Sequence, residues 1–96
     1  MATTVSEIRA IARATWDHVY QSENPSATDV AFLEATSRAD KRLSQTLGDA
    51  NVLYGVKSDT YRAVKNLAIR QHEAEYRAAY MTLEAADDIE FAQAAE

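Results

Sequence analysis

Cysteine is absent from the 96-residue sequence, which excludes disulfide staples and thiolate metal sites. Proline occurs once and glycine twice, so few positions can carry sharp turns. Clean alternation of apolar and polar residues is missing, which argues against half-buried strands. Long hydrophobic runs are missing as well: a stretch such as VAFL at 30–33 is far too short to cross a bilayer. Near the start, Glu7, Arg9 and Arg13 stand where a secretory leader needs an apolar core. The expected location is therefore the cytoplasm, or a virion if the chain is a phage structural protein.

What remains is a helix-forming composition. Alanine, leucine, glutamate and arginine are abundant, and 47% of residues are hydrophobic against 26% charged, a globular rather than a disordered balance. The sequence predicts an all-α fold, a small three-helix domain over 1–96 with helices at about 4–22, 28–47 and 59–95. TVSE at 4–7 has the capping-box form, with Thr4 as N-cap and Glu7 reaching back. Ile8, Ile11, Ala12, Thr15, Trp16 and Val19 then recur at helical spacing. Pro25 disfavours helical geometry in Asn24 and breaks the first helix. Ser26 or Thr28 caps the second, whose apolar side is read as Phe32, Ala35, Ala39, Leu43 and Leu47, with Gly48 just past its end. Val52, Leu53, Tyr54 and Val56 are too apolar for a bare loop and are expected to pack on the domain as an irregular or one-turn link. Trp16, Tyr20 and Tyr54 are read as core or core-rim residues.

Beyond Gly55 neither glycine nor proline occurs, so the third helix runs unbroken. At ~1.5 Å per residue it would be ~55 Å long, whereas a globule of this size is about 25–30 Å across. Its wheel carries two apolar faces. Val64, Leu67, Ala68, Ala74, Ala78, Ala85 and Ile89 form the main one, with Gln71, Glu75, Thr82 and Gln93 inside it as candidates for fixing register. Ile69, Tyr76, Tyr80 and Leu83 form the second, with Phe91 near its edge. Two short helices can cover one face but not both, and exposed contiguous apolar surface marks an interaction site. The sequence thus predicts that helix packing with another subunit completes the fold, most simply in a two-fold dimer.

Charge points the same way. The net charge is −5, yet residues 1–77 hold all ten basic residues and ten acids. Glu84, Asp87, Asp88, Glu90 and Glu96 supply the whole surplus, against the negative end of the helix dipole. The expected contact residues are Ile69, Tyr76, Tyr80, Leu83, Glu84, Asp87, Asp88, Glu90 and Phe91. In one reading the chain is a non-enzymatic assembly module whose acidic end meets the basic half of the same helix in a second copy. In the other, the acidic end docks on a basic, nucleic-acid-binding surface of a different protein, as phage-encoded antagonists do.

Catalytic and cofactor chemistry finds little footing. His72 and Glu75 share a helical face, but di-iron bundles use Glu-x-x-His, and positions 69 and 15 are isoleucine and threonine. A hydrogen-bonded polar layer is the reading preferred for His72. Asp17 and His18 point ~100° apart and form no relay. Glycine-rich phosphate loops, His-Glu-x-x-His and nucleophile elbows are absent. No enzyme activity, metal or cofactor is expected. Arg38, Lys41, Arg42, Lys57, Arg62, Lys65 and Arg70 are scattered among acids in a neutral body, so nucleic acid is not an expected partner.

Overall fold

The computed structural model describes the backbone of residues 4–95 and the side chains of residues 4–86. Three helices follow one another: α1 (Val5–Gln21), α2 (Ala27–Tyr54) and α3 (Asp59–Ala95). No strand occurs among the described residues, and the helices pack on one another in a small all-α fold. Each start has a local cause. Thr4 Oγ1 accepts from the Glu7 N–H at 3.2 Å and donates to the Glu7 carboxylate at 2.9 Å, satisfying an amide that the first turn leaves orphaned. Ser26, not Thr28, caps α2, its hydroxyl accepting from the Thr28 N–H at 3.2 Å. Ser58 Oγ accepts from the Tyr61 N–H at 3.0 Å and so caps α3.

The second helix departs from the sequence reading. It does not stop at Gly48 but continues to Tyr54. Gly48 sits in open space within the helix, a cost in propensity of about 1 kcal/mol that nearby packing offsets: Ala50 is buried near the far end. The stop comes at Gly55, at φ 81°, a conformation glycine adopts without strain. A turn closed by Ser58 N–H to Gly55 carbonyl, 3.1 Å, then leads into α3. The expected irregular link over 49–57 is therefore mostly helix. Val52, Leu53, Tyr54 and Val56 do not pack on the domain either; Val52 is 86% exposed.

The core occupies only part of the α2/α3 hairpin. Ile8, Phe32, Ala39, Tyr76, Ala79 and Leu83 form one buried cluster, with Val5, Ile11, Ala12 and Leu33 among the residues packed against it. Burial of a side chain as large as Ile8 stabilises by about 1.5–3 kcal/mol. Every residue that α2 and α3 give to this cluster lies between 32 and 39 or between 76 and 83. Ala50 is the sole buried hydrophobic residue of the described chain beyond it. The hairpin thus extends past α1 as a two-helix arm. Trp16 and Tyr20 were expected inside but are exposed, Tyr20 at 81%. The inward line of α1 runs through buried Ile8 and half-buried Ile11, Ala12, Thr15 and Val19, and one residue further along rotates the side chain by about 100°.

The molecule measures 57 × 25 × 16 Å with a radius of gyration of 16.5 Å, against about 12–13 Å for a compact chain of this length. Its longest dimension is that of α3, as the sequence required.

Candidate interaction surface

The two apolar faces of α3 exchange the roles read from the wheel. Tyr76 and Leu83, assigned to contacts with another subunit, lie within the chain's own core, Tyr76 at 2% exposure. Ile69, Tyr80 and Glu84 are half-buried, and the Tyr80 hydroxyl donates to Glu84 Oε1 at 2.6 Å. Asp87, Asp88, Glu90 and Phe91 lie outside the described side chains. Conversely, Ala74, Ala78 and Ala85 of the presumed core face are exposed, and Leu67 is 65% exposed. The physical reason is size and partnership. Tyrosine and leucine bury more area than alanine, and a polar acceptor on α2 suits only the face that carries His72 and Tyr76.

That acceptor is Asp40. Its Oδ1 receives the Tyr76 hydroxyl at 2.7 Å and His72 Nε2 at 2.7 Å. The His72 and Tyr76 rings lie 4.4 Å apart, and the Arg9 guanidinium of α1 sits 5.7 Å from the Tyr76 centroid. All three helices therefore meet in one polar layer. Partial burial works to raise the Asp40 pKa. The hydrogen bonds from His72 and Tyr76, aided by electrostatic attraction from the neighbouring His72 and Arg9, outweigh it and hold the carboxyl below its ordinary value. Burial and the Asp40 carboxylate push the Tyr76 phenol upward, with Arg9 opposing. Buried polar groups need partners, and this layer supplies them, as read for His72. Glu75 turns elsewhere, pairing with Arg42 across the hairpin and accepting from Gln71 at 3.2 Å.

The side of the hairpin away from this layer is open. A trough of about 610 Å³ runs between α2 and α3, floored by Ala31, Ala35, Ala78 and Ala86, with Arg38, Arg42 and Glu75 as its charged residues. A smaller continuation extends toward the arm past Thr46, Ala68 and Gln71. Gln71, Glu75 and Thr82, the polar residues singled out on the main apolar face, all line this side. Two features went unread in the sequence. Ala27, Ala31, Ala35 and Ala39 recur every four residues in α2, a visible stripe of small side chains that permits close approach of another helix. Asp40 is the other, because nothing local in the sequence identifies a partner 32 residues away.

No helix among the described residues is long and apolar enough to cross a membrane. Comparison with known protein families, curated proteins and solved structures finds no match to this chain.

Proposed function

We propose that the chain is a non-enzymatic helical assembly module that pairs with a second copy through the open face of α2 and α3. The observation that supports this is surface area. A folded monomer of 10.6 kDa is expected to expose about 5,500 Å², whereas this chain exposes 7039 Å². The excess, about 1,500 Å², is of the size that each chain gives up in an obligate dimer. It does not reflect a missing core so much as an uncovered one: α1 closes one side of the hairpin and, among the described residues, nothing closes the other. The long helix then makes sense as a scaffold whose exposed apolar side is buried on association.

Sedimentation equilibrium tests this reading. A dimer at micromolar concentration is expected, weakening as salt is added because charged pairs at the rim are screened. A monomer at every concentration up to about 100 μM, well above the Kd range of an obligate interface, would overturn it. The reading in which the acidic end meets a different, basic protein would then stand.

A further inference from the structure

The geometry of that pairing is also encoded in the charges, an inference that rests on the self-association just proposed. We propose that the open face receives the same face of a second copy turned end for end, with the two-fold axis crossing the trough level with Thr36 of α2 and Tyr80–Met81 of α3.

The level follows from the hairpin's own register. Asp40 bonds Tyr76 and Arg42 pairs with Glu75. Counted outward from those cross-links along antiparallel helices, Thr36 stands opposite Tyr80 and Met81. The trough is centred at this level, running from Ala27 to Arg42 on α2 and from Glu75 to Ala86 on α3. Opposite charges flank it on α2, where Glu34 and Arg38 lie two residues to either side of Thr36. A two-fold axis here exchanges the two, so that Glu34 comes to Arg38 of the second copy and the pair occurs twice.

Glu34 and Arg38 are exposed, and neither has an ion-pair partner within the described chain. The trough beside them is lined by alanine: Ala31 and Ala35 on α2, Ala78 on α3. Small side chains on both sides let helix axes approach to about 8 Å, close enough for flanking arginine and glutamate to meet around the contact.

The absence of cysteine makes any introduced thiol unique. Ala35 lies beside the axis, so the full-length Ala35→Cys variant should form a disulfide-linked dimer on mild oxidation, while Leu53→Cys, far out on the arm, should not. Glu34→Arg or Arg38→Glu alone should raise the dimer Kd by about tenfold or more, and the double swap should restore it, a pattern that lost folding would not produce. Should Ala35→Cys fail to cross-link while sedimentation shows a dimer, this geometry is overturned. Cross-linking only in a mixture of Ala35→Cys with Thr82→Cys would overturn it in favour of same-direction stacking. A monomer in sedimentation overturns the association itself, so the two failures are distinguishable.

Discussion

Asp40 of α2 and His72 of α3 are joined by a 2.7 Å hydrogen bond across the hairpin, and the same carboxylate oxygen receives Tyr76. His72 is 4% exposed, while Asp40 reaches solvent. One side is dry and the other wet, so the layer fixes the register of α2 against α3 at modest desolvation cost. Asp40→Ala strands a buried imidazole and a buried phenol. A loss of about 1–2 kcal/mol is expected, with Asp40→Asn losing less, measured by urea unfolding at fixed protein concentration.

The pH dependence of stability has a sign set by the same carboxylate. Its folded pKa is below the ordinary value of 3.8. The contribution is therefore fully present above that value and disappears as pH falls through the lower folded one. Acid unfolding curves of wild type and Asp40→Asn should diverge near neutral pH and converge at the acid end. Parallel curves across the whole range would show that Asp40 contributes nothing through its charge.

Burial separates two sets of large apolar residues. Leu83→Ala should destabilise by about 2–4 kcal/mol, because it empties part of the core cluster of the described residues. Val52→Ser, at the tip of the arm, should change stability by no more than about 0.5 kcal/mol. Equal effects at the two positions would contradict the arrangement of α3 described above.

The two glycines should respond oppositely. Gly48 is helical with open space at its Cα, so Gly48→Ala is expected to stabilise by about 0.5–1 kcal/mol. Gly55 has room as well, but its φ of 81° strains any β-carbon, and Gly55→Ala should cost about 1 kcal/mol. Thermal unfolding of the pair reads both signs.

Hydrogen exchange should divide the hairpin. Amides around 32–40 and 72–83 lie in the three-helix part and should be the most protected. Those near Val52 and Val64, in the two-helix arm with little buried apolar surface, should exchange by smaller openings. Uniform protection along α2 and α3 would mean that the arm is covered by something other than α1.

The all-α class, the three helices, the cap at Thr4, a cap at Ser26 or Thr28, and an α3 longer than its domain are legible in the order of the amino acids. These are local properties: a capping hydroxyl acts within three residues, and helical spacing repeats within each segment. The same order also placed His72 in a hydrogen-bonded layer, since a histidine on an apolar face has few other ways to be satisfied. Which of the two apolar faces of α3 turns inward depends instead on packing between helices. A helical wheel ranks faces by hydropathy but cannot see that Asp40, 32 residues earlier, offers an acceptor to one of them. Likewise Gly48 looked like a stop until Ala50 was seen packed beyond it, and Gly55 supplied the positive φ that ends α2. Burial and partnership are long-range quantities, and they moved Tyr76 and Leu83 from the expected outer contact surface into the core.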